Sequence, residues 1–370
     1  MPQFSDIRGQ TAAHDTLRSA AARGRLPHAM LFHGTEGVGK TSTAFALAQF
    51  LNCDSPGAED SCGECRPCHK FAHLQHADLH WVLPMETAYK GGKRADRIRT
   101  LMNERLEPGI VRLQFARAAS IAIGRDNDTR PGSVAELRHQ AGMAPMEAKV
   151  KVFVVTLADR MTVQAANSLL KVLEEPPPDN LIILTTSKPG ALLDTIVSRC
   201  QAVRFRDLAE DDMVTLLGER VDAEERSAVL AAGLSRGSLS RAASYLEEGV
   251  IEPRDTAVEF LSLSPEDPRA SIAVEELARA RDRIAVGKII DFGLLWQADL
   301  LRLVTGSDVA LANRDREDDL RAEAAGLDAG AVHRRIAALE EARRAMEGNV
   351  FLDLVLHHLI NQYSGDPAYS

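Results

Sequence analysis

The sequence predicts an α/β fold, a phosphate-loop domain built on a parallel sheet, followed by regions that are wholly helical. Three observations carry this reading. The stretch "GTEGVGKTS", Gly34 to Ser42, fits G-x-x-x-x-G-K-[ST]; it follows the apolar run "AMLFH" and opens the apolar helix "TSTAFALAQFLNC". Short apolar runs alternate with helical patterns as far as "VSRCQAVRF", the pattern of a parallel sheet covered on both faces. From about residue 209 onward the periodicity is helical, with Pro and Gly breaks near 249–253 and 264–268.

The elements follow in order. Residues 8–24 read as a helix ending at "RGRLPHA", then come the strand, the loop and the helix just named. "DLHWVLP" reads as a strand, and residues 85–132 form a charged stretch without clear register. "VAELRHQAGMA" is a helix, "KVFVVT" a buried strand, "VQAANSLLKVLEE" a helix and "NLIILTTS" a further strand. No internal repeat or low-complexity tract interrupts this order.

A chain of 370 residues has room for two or three cores. Apolar residues make up 45% and charged residues 26%, as in ordinary globular proteins. Aromatic residues are only 5%, which argues against a base-stacking platform for single strands. The net charge of −9 means that any contact with nucleic acid needs a local basic face. The run "KGGKRADRIR", Lys90 to Arg99, could supply one, or could be a solvated loop. The start of the chain has no apolar signal core, and no window of about 18 apolar residues occurs, so a cytoplasmic location is expected.

The loop is the first candidate site. Gly34, Gly37 and Gly39 let backbone N–H groups curl around phosphates, and Lys40 supplies a point charge to the β and γ oxygens. Thr41, followed by Ser42, offers a hydroxyl to Mg²⁺, and the helix that opens there adds its positive end. ATP or ADP with Mg²⁺ is the expected ligand. The strand "KVFVV" should then deliver an Asp to the ion and a Glu to the attacking water. Thr156 and Leu157 stand in those places. Thr brings no charge and Leu cannot act as a base; Asp159 comes two residues late and is expected to pair with Arg160 or to face solvent. The chain keeps a loop that holds nucleotide and lacks the acids that hydrolyse it.

Four of the five cysteines form C-x8-C-x2-C-x2-C at Cys53, Cys62, Cys65 and Cys68. Without a secretory signal this spacing reads as a Zn²⁺ site rather than as disulfides. With four thiolates bound, no position remains for catalytic water, so the expected role is structural. His69 and His73 lie nearby and are read as solvated or packing residues. Arg199, in "TIVSRC", sits just outside a sheet strand. From the residues alone it is a surface arginine in a local ion pair, although it could also reach a neighbouring chain's γ-phosphate. Cys200 reads as a small buried apolar residue.

At this point the sequence resembles the clamp-loader subunits of bacterial DNA polymerase III, members of the AAA+ family, and among them the delta-prime branch. The resemblance covers nearly the whole chain. It rests on "FSDIRGQ", "RLPHAMLFHGTEGVGKT", "CGECRPC", "NSLLKVLEEPP" (Asn167 to Pro177), "SRC" (Ser198 to Cys200) and the late "LHHLI" after "EGNVFLDL". It implies an AAA+ P-loop domain over 1–207, a helical lid over 208–262 and a helical collar for oligomerisation over 265–370. It also implies a five-subunit ring with gamma/tau motor subunits and delta, which opens a sliding clamp and places it on primed DNA. Arg199 then matches the arginine finger supplied in trans, and Ser187 the polar sensor. The second sensor is usually an arginine after "GSL"; here Ser240 stands there and Arg241 comes one residue later, about 100° around a helix. The missing acids and the displaced sensor favour a delta-prime subunit that does not itself hydrolyse ATP. A working gamma/tau-like motor with Asp159 as a substitute acid is the alternative. The basic stretch between 85 and 125 does not match the family pattern and reads as an insertion.

Overall fold

The computed structural model describes residues 3–84, 120–122, 133–221, 225–249, 251–280, 283–348 and 350–364. Lys90 to Arg99, and nearly all of the expected insertion, lie outside the described residues. The chain divides into two compact units, one of residues 1–222 with 236–241, the other of residues 223–235 with 242–370.

The first unit is built on five parallel strands, β1 (Ala29–His33), β2 (Leu79–Val82), β3 (Lys151–Thr156), β4 (Asn180–Thr186) and β5 (Gln201–Arg204), in the spatial order β2-β3-β4-β1-β5. β1 pairs with β4 through Leu31 opposite Leu184, and with β5 through Phe32 opposite Val203. The central strands β1, β3 and β4 are largely apolar runs with side chains alternating between two faces, whereas the edge strand β5 buries only Val203. Met30, Phe32, Val152, Val154, Leu181 and Ile183 pack on one side with Phe45 and Leu47 of α2 (Lys40–Asn52). Leu31, Phe153, Val155, Ile182 and Leu184 pack on the other, with Leu137 of α4 (Val134–Ala141), Leu169 and Leu173 of α5 (Val163–Glu174) and Ile196 of α6 (Asp194–Val197). Each large side chain buried this way contributes roughly 1.5–3 kcal/mol, which outweighs the weak helix propensity of short segments such as α6.

Local chemistry sets the element ends. Ser133 caps α4 by accepting the Glu136 N–H, and Thr162 caps α5 by accepting the Ala165 N–H. The loop before β3 is pinned at both sides. Buried Asp78 accepts the N–H groups of Met146, Glu147 and Ala148 at 2.8–3.0 Å, and the ammonium of buried Lys151 donates to the carbonyls of Gln140 and Met143 at 3.0 Å. α1 (Thr11–Ala22) and α3 (Arg66–Ala72) complete the unit with α7 (Glu210–Val221).

The second unit is helical. α8 (Glu225–Ser235) and the later part of α9 (Leu239–Glu248) join α10 (Ile251–Ser262), α11 (Pro268–Ala280), α12 (Arg283–Thr305), α13 (Glu317–Ala324), α14 (Ala329–Glu347) and α15 (Leu352–Ser364). Its main core brings Phe260 and Leu261 of α10 together with Ile290 and Phe292 of α12, Leu339 of α14 and Leu356 of α15. α10 buries its apolar face on α12, so helices on either side of residues 262–265 share this core. Of the apolar residues in and just before α15, Leu352, Val355, Leu356, Leu359 and Ile360 are buried within the bundle; Phe351 and Leu354 are exposed, at 80% and 59%. Among the described residues no helix is long and apolar enough to cross a membrane.

Candidate functional site

A cleft opens at the carboxyl ends of the strands in the first unit. That is where an open parallel sheet places ligands, here at the ends of β1, β3 and β4, which are neighbours in the sheet. Gly37 to Ser42 form its floor. Gly37 and Gly39 have φ of +79° and +97°, and a Cβ on Gly39 would lie 2.9 Å from Ile7 Cγ2. Side chains are excluded there by backbone conformation and by space alike. Gly39 is the residue before α2, so the loop feeds directly into the helix N-terminus. Gly34 does not line the cleft; it packs against the Phe205 carbonyl, where a Cβ would approach to 2.3 Å.

Lys40 is only 8% exposed, and its ammonium donates to the Gly34 carbonyl at 2.7 Å and the Thr35 carbonyl at 2.5 Å. Burial brings its pKa down to about 8, against the opposing pull of Glu36, Asp159 and Asp207. The other walls mix apolar and hydroxyl groups. Ile7, Leu208, Leu216 and Leu239 offer an apolar side, and Thr185, Thr186, Ser187 and Ser240 a polar one. Ser187 and Ser240 stand at the cleft, whereas Arg241 is exposed and is not among the lining residues.

The two positions that lack acids are at the cleft, and their geometry is specific. Thr156 is 1% exposed, and its hydroxyl accepts the indole N–H of Trp81 at 2.7 Å. Leu157 has φ of +55°, a left-handed conformation that a branched apolar side chain seldom adopts. Asp159 neither pairs with Arg160 in the manner expected nor simply faces solvent. It accepts the Thr186 hydroxyl at 2.5 Å, and that hydroxyl in turn accepts the Lys188 N–H at 2.9 Å.

Arg199 lies between α6 and β5, away from this cleft. Its guanidinium donates to the Thr195 carbonyl at 2.9 Å and pairs with Glu174, at the end of α5, at 2.9 Å. Cys200 beside it is half-buried, and burial raises its thiol to about 11.

The sulfur atoms of Cys53, Cys62, Cys65 and Cys68 all lie within 4.8 Å of one another, with pairs at 3.4, 3.9 and 4.0 Å. Four thiolates about 2.3 Å from one tetrahedral Zn²⁺ would be about 3.8 Å apart, so the donor set and its spacing fit that ion. They are too far apart for disulfides, whose bond is near 2.05 Å. The backbone N–H groups of Glu64 and Cys65 pull the Cys62 thiol down to about 6, while burial pushes Cys53 and Cys68 up. His69 and His73 are exposed, as expected. Cys53 is the residue after α2, so the metal loop hangs from the far end of the phosphate-loop helix.

Motif reading alone did not reach several site residues. Asp6, Ile7 and Arg8 line the cleft from the start of the chain, and Leu208 and Leu216 from beyond the sheet. Trp81 and Glu174 matter only through their partners, far away in sequence. The signal for the first group was the box "FSDIRGQ"; the others carry no local pattern.

The profile of the family described as "DNA polymerase III, delta subunit" matches residues 9–209. The chain is 27% identical over 347 residues to DNA polymerase III subunit delta' of Bacillus subtilis, covering 93% of each. It is 28% identical over 253 residues to subunit tau of the same organism, across 67% of this chain and 38% of tau. To subunit gamma/tau of Mycobacterium bovis it is 31% identical over 221 residues, 60% of this chain and 32% of that protein. The sheet with its phosphate loop and the extent of these matches place this chain in the DNA polymerase III delta subunit family of clamp-loader proteins.

Proposed function

We propose that this protein is the delta-prime subunit of a DNA polymerase III clamp loader, one that does not itself hydrolyse ATP. The observation that carries the reading is the pair Thr156 and Leu157. Where phosphoryl transfer needs a metal-bound Asp and a base, one side chain is engaged with Trp81 and the other is an aliphatic group in a left-handed backbone conformation. The first strand's chemistry is kept: loop N–H groups and Lys40 would hold the phosphates of ATP or ADP, and the Thr41 hydroxyl would take a place on Mg²⁺. Bound Mg²⁺ would neutralise phosphate charge. Zn²⁺ at the four cysteines would be structural.

In this reading the chain serves a neighbour's site. Arg199 is exposed and held by Glu174, the Thr195 carbonyl and a long contact to the Ser198 hydroxyl, all solvent-exposed, so its planar fork can turn towards a γ-phosphate held by an adjacent gamma/tau motor subunit. A finger of this kind raises phosphoryl-transfer rates by roughly 10³–10⁵ in other systems. The partners are the motor subunits and delta in a five-subunit ring, the sliding clamp and primed DNA. Helices near 208–262 would serve as the lid and 265–370 as the collar.

A second reading is favoured by one observation: the charge of Asp159 acts on Lys40, and its carboxylate holds Thr186 at the cleft. Asp159 would then be the substitute acid of a working motor. Turnover by the isolated chain separates the two. Negligible ATP hydrolysis supports delta-prime; robust hydrolysis abolished by Lys40→Ala supports the motor. Calorimetric titration with ATP and Mg²⁺ tests whether the cleft binds nucleotide at all.

A further inference from the structure

The cysteine loop does more than close on itself. The two residues before Cys62 are Asp60 and Ser61, and both hold the start of the chain. One Asp60 oxygen accepts the Phe4 N–H at 2.9 Å and the other accepts the Ser5 N–H at 2.9 Å. Gln3 donates its side-chain amide to the Ser61 carbonyl at 2.9 Å and to the Ser61 hydroxyl at 3.3 Å. That hydroxyl also accepts from Gln49 of α2 at 2.8 Å. Arg18 of α1 closes the arrangement by donating to the Glu59 carbonyl at 3.2 Å, with its guanidinium over the Phe4 ring.

This clasp is continuous with the cleft. Phe4 is 2% exposed, packed between the rings of His14 and Phe50, and it fixes the direction in which the chain leaves. The next residues, Asp6, Ile7 and Arg8, line the cleft, with Ile7 directly against the loop at Gly39. Residues 54–59 of the cysteine loop are exposed, while Ser61 is buried against Gln49 of α2 and the Asp60 carbonyl accepts the Gly57 N–H at 2.8 Å. The cysteine cluster adds to these ties directly after Ser61, where the Cys62 N–H meets the Cys53 sulfur at 3.2 Å at the end of α2.

We propose that the four-cysteine loop is a positioning element of the nucleotide cleft. With Zn²⁺ bound, Asp60 and Ser61 hold residues 3–8 in place as one wall, and metal and nucleotide binding are thereby coupled. Asp60 is the positioning residue, since its two oxygens satisfy two consecutive backbone N–H groups. The coupling rests on the reading that the cleft takes nucleotide; the clasp itself does not. Coupling of this kind is reciprocal, so nucleotide should raise Zn²⁺ affinity by the same factor as Zn²⁺ raises nucleotide affinity.

The test uses the full chain loaded with Zn²⁺, amide exchange read by mass spectrometry, and titration with a fluorescent ADP analogue. Stripping Zn²⁺ with a chelator should speed exchange at Phe4 and Ser5 and weaken ADP binding by about fivefold or more. Asp60→Ala should keep one Zn²⁺ per chain and an unchanged circular dichroism spectrum, yet show the same fast exchange and weakened ADP binding. In that variant ADP affinity should no longer respond to Zn²⁺ removal, an outcome that a purely structural role for Asp60 would not produce. Where stripping melts the chain, Asp60→Ala with its metal retained decides the matter. Slow exchange at Phe4 and Ser5 in that variant would overturn the clasp. Intact Zn²⁺-dependence of ADP affinity in it would overturn the coupling. If the wild-type chain binds no ADP, the nucleotide reading fails, and the exchange arm still decides whether Asp60 positions the wall.

Discussion

The Arg199 guanidinium rests 2.9 Å from the Glu174 carboxylate, which joins the end of α5 to the segment between α6 and β5. Both side chains are well exposed, at 36% and 49%, so the pair contributes no more than about 0–1 kcal/mol. That is weak enough for a phosphate on another chain to compete with it. Arg199→Ala should therefore fold normally and lower the DNA- and clamp-stimulated ATP turnover of the reconstituted assembly through one site only. Arg199→Lys should rescue poorly, because it lacks the planar fork. Glu174→Ala should leave the melting temperature nearly unchanged. Stimulated turnover measured on fully assembled complexes checks the role of Arg199, and unchanged rates would return it to an ordinary surface pair.

The Trp81 indole has Thr156 as its acceptor inside the core. Thr156→Val keeps the shape and removes the acceptor, leaving a buried donor unpaired. The expected cost is about 1–3 kcal/mol, read as a lower denaturation midpoint at unchanged slope. Thr156→Ser, which keeps the hydroxyl, should lose less. Equal stability of the Val variant and wild type would show that the contact is not maintained in solution.

Lys40 gives the cleft a pH signature. Its pKa in the folded chain, about 8, lies below the ordinary value because burial disfavours the ammonium. Phosphate binding favours the charged form, so nucleotide affinity should hold below about pH 8 and fall as pH rises above it. Titrations with ADP between pH 7 and 9.5 check this, and Lys40→Ala should remove both the binding and its pH dependence. For stability the sign is opposite: the unfolded chain binds the extra proton between about 8 and 10.5, so this group alone makes stability rise across that window.

Acid should act through two histidines. Burial lowers His14 and His80 to about 4, well below the ordinary 6.5. Between these values the unfolded chain takes up protons that the folded chain refuses, so the stability they contribute is present above about pH 6.5 and lost as pH falls towards 4. Denaturation midpoints measured from pH 7.5 to 5 should fall, and His80→Phe, which suits the stack on Phe153, should flatten the profile. A flat wild-type profile would contradict the assignment.

The four cysteines should hold one equivalent of Zn²⁺ per chain. Cys62→Ser should reduce that stoichiometry and lower the melting temperature, whereas Cys200→Ser should change neither. Metal analysis of freshly purified, reduced protein is the measurement, and a value well under one equivalent would refute the site.

Phe351, just before α15, and Leu354, in its first turn, are well-exposed apolar residues. Paired substitution to Asp should leave stability within about 0.5 kcal/mol, since neither supports the core. It should reduce co-assembly with motor subunits if the second unit carries the collar, measured by sedimentation of the reconstituted mixture. Normal assembly would move the interface elsewhere.

The sequence by itself determined the elements whose cause is local. A phosphate loop needs glycines and Lys40 at fixed spacing, a parallel strand buried on both faces needs an unbroken apolar run, and four thiolates within sixteen residues leave little freedom about where they meet. For these the one-dimensional pattern and the physical requirement coincide. The tertiary structure decided everything that depends on partners distant in sequence. Trp81 became the partner of Thr156 through the pairing of β2 with β3, and Glu174 the partner of Arg199 because α5 ends beside the turn into β5. The burial of most of α15 could not be read from its own residues, since an apolar helix face looks alike whether α11 and α14 or another chain covers it. The same is true of Asp60, which reads as a loop acid until folding sets it against the backbone N–H groups of Phe4 and Ser5, 56 and 55 residues away.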